Sequence, residues 1–387
     1  MPPENGTNGV EQSFRTWIEQ SLKPRAMGRM IAPDLFDSVL AQAEFQKEVV
    51  ERQSNQTEFI VPIWEYLDIV ATEDRIRNGR QALRRNRSLF IEIERRFGVE
   101  PVIIAAIWGV ETGFGTNMGD YHVISALASL AFWGRRASFF EDELIGALRI
   151  LQAGHIDAAN MTGSWSGAMG HGQFMPTSFL DFAVDHDGDQ RADIWGTAPD
   201  DALASIANFL RKHGWRQGQP WGCEIVLPDD FDFGLSGLDY LLTTKELHNL
   251  GVTLPGGGRL PDYGSGSILL PGGAQGVALL VLRNFHVIMR YNRSEAYAIG
   301  IGHLSDRIVG GGVFNASWPL DDPMLSRDEV SELQVRLSKL GFDTHGADGI
   351  RGPNTTRAAR AFQQEQGLDP DGFMTVNLLE RLRHMGR

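Results

Sequence analysis

The stretch Pro101-Val-Ile-Ile-Ala-Ala-Ile-Trp-Gly-Val110 carries no charge and runs straight into Glu111-Thr-Gly-Phe-Gly115. The segment reads as an apolar helix. It also delivers a carboxyl at the end of an apolar run. An ionised carboxylate is costly to bury without partners, and apolar surroundings raise its pKa. A carboxyl kept protonated near neutral pH can give its proton to a leaving oxygen. Glu111 is therefore a candidate general acid, and the alternative is a helix-end Glu that reaches water.

Composition narrows the class. With 387 residues the chain is long enough for two domains. The net charge of -13 argues against a nucleic-acid partner, which would require a basic footprint. A single cysteine, Cys223, excludes an intrachain disulfide framework and a cysteine-based zinc site. No uncharged apolar run approaches the roughly 18 residues needed to cross a bilayer. The segment Met1–Gly9 has no basic region, apolar region or small-residue cleavage site, so as written it carries no export address.

Periodicity divides the chain. Residues from 12 to 250 read mainly as helices. Arg75 to Phe97 reads as one basic helix-like segment, most simply a solvated face. Leu203, Ile206, Ala207 and Leu210 form one buried stripe that Gly214 ends. Near residue 222 the character changes: Cys223-Glu-Ile-Val-Leu-Pro predicts a short strand, and 251–276 is rich in Gly and Pro. Val277 to Met289 can be a strand or a buried helix end. A small β-containing subdomain inserted at about 222–285 is expected. Residues 309–325 read as a linker. Beyond it, Ser326 and Glu329 make a capping box ahead of Val330, Leu333, Leu337 and Leu340. Another helix is expected from about Thr355, and Asp348-Gly349 and Asp371-Gly372 suggest a duplicated turn-helix unit.

The second informative segment is Ser164-Trp-Ser-Gly-Ala-Met-Gly-His-Gly-Gln-Phe-Met-Pro-Thr-Ser178. Its small residues let backbone approach a ligand. Ser164 and Gln173 offer hydrogen bonds, while Trp165, Phe174 and Met175 offer an apolar wall. Polar groups on an apolar floor suit a sugar ring; a Gly-rich loop before a helix is the plain alternative.

Glu111-Thr-Gly-Phe-Gly115, Gly167-Ala-Met-Gly-His-Gly-Gln-Phe-Met-Pro176 and Arg290-Tyr-Asn-Arg-Ser-Glu-Ala-Tyr-Ala298, in that order, resemble the lytic murein transglycosylase B family. The resemblance runs from about Phe14 to Ile308. Leu333-Gln334, Leu340-Gly341-Phe342, Asp348-Gly349, Gly352-Pro353, Thr356, Phe362-Gln363, Gly367-Leu368 and Asp371-Gly372 resemble the peptidoglycan-binding type 1 domain. Together they imply a mainly α protein: a lysozyme-like helical catalytic core over 1–308 with the small inserted β subdomain, the linker, and a small helical peptidoglycan-binding domain over 326–387.

The resemblance implies cleavage between N-acetylmuramic acid and N-acetylglucosamine without water, leaving 1,6-anhydromuramoyl ends. Glu111 would act first as acid on the glycosidic oxygen, then as base on the C6 hydroxyl, with the substrate's N-acetyl group stabilising the sugar cation. Ser164 and Gln173 would bind the sugar, Phe174 and Met175 would line its floor, and Tyr291, Asn292, Tyr297 and Tyr66 would flank the groove. Arg135 and Arg136 would meet stem-peptide carboxylates. Where the family can have a groove Tyr, this chain has Phe209, which removes one hydroxyl. Asp120, Glu141, Asp142 and Glu143 lie near in sequence, and the last three read as the first turn of a helix.

Asp185, Asp187 and Asp189 occupy positions 1, 3 and 5 of a calcium-type loop, with Arg191 at position 7. The loop departs from the pattern at Gln190, where Gly is usual, and at Gly196, where Glu is usual; Asp200 or Asp201 would close it. Any calcium would be structural, since the chemistry requires no cofactor. Expected partners are peptidoglycan strands, their stem peptides and other cell-wall enzymes, and the expected location is the periplasm, with no export signal in this sequence. No cysteine lies near the start to carry a lipid. The rival readings are a lysozyme-like hydrolase, which needs a second positioned carboxylate or held water, and a non-catalytic wall-binding scaffold.

Overall fold

In the computed structural model, residues 7–55 and 61–385 are described. The architecture is mainly helical with small antiparallel sheets. Close packing groups Met1–Phe59 with Glu73–Gln217, and Ile60–Thr72 with Gly218–Arg387.

The first unit is built around helices that have no outside. Pro101 opens the helix Pro101–Thr112, where its missing N–H costs nothing. Every residue from Ile103 to Gly109 is buried. The helix Val123–Trp133 is buried from Val123 through Ala131 and packs on Ala137–Gln152. The expected stripe on Leu203 to Leu210 belongs to the helix Asp200–Lys212, in which Asp201 through Ala207 are all buried. The basic segment after Arg75 is two helices, Glu73–Arg85 and Arg87–Phe97. They part at Asn86, whose side chain donates to Ala82 O (3.1 Å) and so competes with the helical ladder.

The acidic run after Phe140 is not a first turn. The helix starts at Ala137, and each acid has its own task. Glu141 takes Arg25 through two contacts (2.5 and 2.7 Å), and Asp142 takes Arg29 (2.6 Å). Glu143 is buried and accepts the N–H and hydroxyl of Thr177 (2.9 and 2.7 Å), which fastens the start of the helix Pro176–Phe182. Burial pushes the Glu143 carboxyl above its usual range, and the Thr177 donors oppose this.

In the second unit, four strands pair antiparallel. The order is Gly222–Ile225, Ala278–Val281, Ser265–Leu269, Leu242–Thr243. Val277 to Met289 is both things expected of it: a buried strand, then the helix Arg283–Tyr291. Residues 309–325 are held rather than loose. Glu224 accepts the N–H groups of Asn315 (2.7 Å) and Ala316 (2.7 Å), Phe314 stacks on His303 (4.5 Å between rings), and Trp318 lies against Trp64 (5.9 Å).

The C-terminal helices are Arg327–Lys339, Pro353–Glu365 and Val376–Met385, with the expected capping box at Ser326 and Glu329. Their core includes Val330, Leu333, Leu337, Phe362 and Leu379. The duplicated Asp-Gly turns have a shared cause. Buried Gln334 donates to Asp348 Oδ1 (2.9 Å) and accepts Gly349 N–H (2.9 Å); buried Gln363 does the same with Asp371 (2.7 Å) and Gly372 (2.7 Å). Each clamp ties a helix to the turn that follows it. Replacing Gln334 by Ala leaves the buried Gly349 N–H without its acceptor and opens a cavity, at a cost of about 2–4 kcal/mol. Denaturant titration with local amide exchange should show this loss; unchanged exchange at Gly349 would rule out the clamp.

Candidate active site

Glu111 stands half-buried in the last turn of the apolar helix. Gly113 ends that helix in the left-handed region (φ 58°), its N–H returning to Gly109 O (3.1 Å). Phe114 folds back so that its ring covers Gly109 and meets Trp108 edge-on at 5.6 Å. The chain therefore turns sharply just after Glu111 and keeps the carboxyl at the helix end.

The first two motifs are bonded to each other through His171. Thr112 Oγ1 donates to His171 O (2.9 Å) and accepts Gly115 N–H (3.1 Å). Trp108 Nε1–H donates to His171 Nδ1 (3.0 Å), and His171 Nε2 lies 2.8 Å from Gly196 O. An indole nitrogen can only donate, so Nδ1 is an acceptor and the proton sits on Nε2. The ring is thus neutral, and burial pushes its pKa below the usual value in agreement. Gly115 passes so close that a Cβ would come within 2.4 Å of the His171 ring, at a φ of 84° that disfavours any side chain.

The Gly-rich segment is a tight double turn. Ser164 N–H reaches Ala168 O (2.8 Å), and Met169 and Phe174 exchange both backbone bonds (2.9 and 3.0 Å). Ser164 Oγ accepts Ala168 N–H (3.0 Å) and lies 3.2 Å from Ser166 Oγ, where either hydroxyl can be the donor. The Gln173 amide donates to Met118 O (3.1 Å) and Gly170 O (3.0 Å), so the side chain presents its oxygen. Met118 follows the first motif, which makes this a second tie between the motifs. Phe174 is buried, and Met175 is half-buried.

Arg135 and Arg136 are exposed at the turn before Ala137–Gln152. Arg135 donates to Gln53 O (2.8 Å), and Arg136 lies 4.0 Å over the Phe139 ring. Phe209 is 6% exposed and packs against His213 (4.2 Å) and Phe182 (4.8 Å).

The third motif lies in the second unit. Tyr291 ends the helix Arg283–Tyr291, and exposed Asn292 accepts Ser294 N–H through Oδ1 (3.1 Å). Ser294 caps the helix Glu295–Ile308. Tyr297 is 4% exposed, and its N–H donates to the Ser294 hydroxyl (3.3 Å). Tyr66, on Ile63–Val70, lies against Gly300, where a Cβ would approach its ring to 2.8 Å.

In the acidic loop, carboxylate oxygens of Asp185, Asp187 and Asp189 lie within 4.8 Å of one another. Asp185 accepts Gly188 N–H (2.6 Å) and Gln190 N–H (2.9 Å), and Asp189 accepts Arg191 N–H (2.8 Å). Gln190 adopts φ 74°, the conformation that Gly supplies at this place in a calcium loop. Three hard oxygen donors on such a backbone fit calcium. Asp201 is not in this group. It is buried, and its two oxygens accept His186 N–H and Asp193 N–H (2.7 Å each), so it clasps the loop's backbone instead of closing the oxygen cluster.

No sequence reading singled out His171, Trp108 or Thr112, and Glu143 was read only as part of a helix's first turn. The available signal was a lone His inside a run of small residues and a Thr directly after Glu111.

Residues 13–306 match the transglycosylase SLT domain family, and residues 326–382 match the peptidoglycan binding domain family. The structure is similar to SltB3 from Pseudomonas aeruginosa, solved in complex with NAG-anhNAM-pentapeptide. That match has a TM-score of 0.92 and 43% identity, over 96% of this chain and 99% of that one. Membrane-bound lytic murein transglycosylase B of Escherichia coli is 33% identical over 283 residues, 70% of this chain and 76% of that protein. Escherichia coli Slt35 in complex with calcium matches with a TM-score of 0.64 and 29% identity, over 79% of this chain and 95% of that one. With all three motifs inside the matched region, the chain belongs to the lytic murein transglycosylase family, with a peptidoglycan-binding domain at its C-terminal end.

Proposed function

We propose that Glu111 carries both proton transfers of a non-hydrolytic cleavage of peptidoglycan. As acid it protonates the oxygen between N-acetylmuramic acid and N-acetylglucosamine. The substrate's acetamido group stabilises the sugar cation, and Glu111 then takes the C6 hydroxyl proton as that oxygen closes on C1. Two-carboxylate hydrolysis needs a second positioned acid. In support of one carboxyl, three of the four acids that lie near it in sequence are engaged by other groups: Glu141 by Arg25, Asp142 by Arg29 and Glu143 by Thr177. Ser164 and the Gln173 oxygen are assigned to the sugar, with Met175 as apolar floor over buried Phe174. Asn292, Tyr291, Tyr297 and Tyr66 are assigned further sugar contacts, and Arg135 and Arg136 the stem-peptide carboxylates. This substrate supports a periplasmic location, where cell fractionation should find the protein. No helix among the described residues is long and apolar enough to cross a membrane.

Glu111→Gln is expected to lower turnover by at least about a thousandfold while sedimentation with sacculi persists. Mass analysis of wild-type products should give anhydro ends. Reducing ends would mean a hydrolase, and undiminished cleavage by the variant would remove Glu111 from the mechanism.

His171→Phe keeps the ring's bulk but strips the acceptor from Trp108 and the donor from Gly196. Its expected effect is a kcat lowered about tenfold or more with KM little changed, because the acid is misplaced while the groups that hold the sugar stay where they are. An unchanged kcat would end this positioning role.

The loop of Asp185, Asp187, Asp189 and the Arg191 position is assigned to structural calcium, which would supply fold stability and no reaction step. Chelator-treated protein should melt at a higher temperature once millimolar calcium is restored. Asp187→Asn should abolish that rise, and no calcium-dependent heat by calorimetry would refute the site.

A further inference from the structure

The C-terminal domain carries the same clamp twice, and the two copies are used differently. At the second turn, Asp371 Oδ1 accepts Gln363 Nε2 (2.7 Å) and Phe373 N–H (2.8 Å). Its other oxygen accepts the backbone N–H of Ala274 (2.7 Å), in Pro271-Gly-Gly-Ala-Gln-Gly276. Gly273 lies so near that a Cβ would come 2.7 Å from Asp371 Oδ2 and 2.8 Å from Phe373 Cβ. The second turn therefore holds a peptide amide, and it tolerates only small residues beside that amide.

At the first turn, Asp348 Oδ1 accepts Gln334 Nε2 (2.9 Å) and Ile350 N–H (2.9 Å), an arrangement equivalent to that at Asp371. No other described residue donates to Asp348 Oδ2. Ile350, which stands where Phe373 covers Gly273, is 50% exposed. One copy of the motif thus displays, bound from its own chain, the ligand that the other copy is shaped to take.

We propose that the turn Asp348-Gly349-Ile350 is a binding site for a backbone amide N–H flanked by small side chains, as in the alanine-rich stem peptides of peptidoglycan. Asp348 Oδ2 accepts the amide hydrogen, and the exposed face of Ile350 covers the small residue beside it. This rests on the reading of the C-terminal domain as a peptidoglycan binder. The acetamido groups of the glycan carry the same kind of donor, but the bound Gly-Gly-Ala segment favours the peptide.

Asp348→Asn separates the clamp from the ligand. Two donors hold Oδ1, so the amide nitrogen takes the place of Oδ2 and meets the ligand's N–H with a second donor. The probe is purified sacculi, intact or stripped of stem peptides by an amidase. Binding is measured on the full chain with Glu111→Gln as background, to prevent digestion: by co-sedimentation for intact sacculi, and by pull-down on immobilised strands for the stripped glycan, which is soluble once its cross-links are gone. Asp348→Asn should weaken binding to intact sacculi about tenfold and leave binding to stripped glycan unchanged. The denaturation midpoint of Asp348→Asn should match that of the background chain, with amide exchange at Gly349 unchanged, which reports an intact clamp and fold. Equal binding to intact sacculi with and without Asp348→Asn overturns the site. Equal loss on stripped glycan overturns the peptide in favour of the acetamido group. Failure of the background chain itself to sediment overturns the reading of the domain, a different result from either.

Discussion

The structure of the first unit depends on how a fully buried helix satisfies its own polar atoms. The helix Pro101–Thr112 is enclosed from Ile103 to Gly109, yet it carries an indole N–H on Trp108 and a hydroxyl on Thr112. Buried donors need acceptors, and a single residue supplies both: the ring of His171 to Trp108, its carbonyl to Thr112. That requirement draws the Gly-rich segment against the helix end. Small residues at Gly115 and along Gly167–Gly172 are what let the two backbones come close enough. Glu111 inherits its position from this arrangement: it sits between the helix's last buried turn and the Thr112 contact.

Much of this was legible in the residues, and what was hidden has a physical reason. The apolar run, the Gly-rich segment and the capping box at Ser326 and Glu329 follow local rules, so periodicity and spacing expose them. The break at Asn86 depends on a side chain reaching Ala82 O, a choice that a basic amphipathic pattern does not show. Glu141, Asp142 and Glu143 are consecutive, and on a helix that sends them in different directions. Two find arginines more than a hundred residues away in sequence, and one finds the Thr177 backbone. Long-range partners of this kind leave no local trace. Nor did composition reveal that residues 309–325, rich in Gly and Pro, are pinned by Glu224 and two aromatic contacts.

The duplicated Asp-Gly turns show why a repeat read from sequence is worth pursuing to atoms. A buried Gln amide has one acceptor and a pair of donor hydrogens, and each turn answers it with an Asp oxygen and a Gly N–H. Gln334 and Gln363 do this alike, although Asp348 lies fourteen residues after its Gln and Asp371 only eight after its own. What is retained is the clamp rather than the spacing. Because the clamp consumes one carboxylate oxygen, each turn keeps the other for an outside donor, and at Asp371 that donor is Ala274.

The acidic loop and the catalytic helix are likewise parts of one arrangement. Asp201, on the buried helix Asp200–Lys212, holds His186 and Asp193 N–H and so fixes both ends of the segment that carries Asp185, Asp187 and Asp189. Directly after it, Ile194 O accepts His171 N–H (2.9 Å) and Gly196 O faces His171 Nε2. The backbone leaving the loop thus supplies the acceptors for the ring that receives Trp108. Three carboxylates within 4.8 Å repel one another. A hard dication would relieve that repulsion where the loop is fastened to His171. A cation with no part in the chemistry would then still steady the residue on which the placement of Glu111 depends. The route is short and physical: a loop carboxylate, a fixed backbone, one imidazole, one indole and the last turn of a helix.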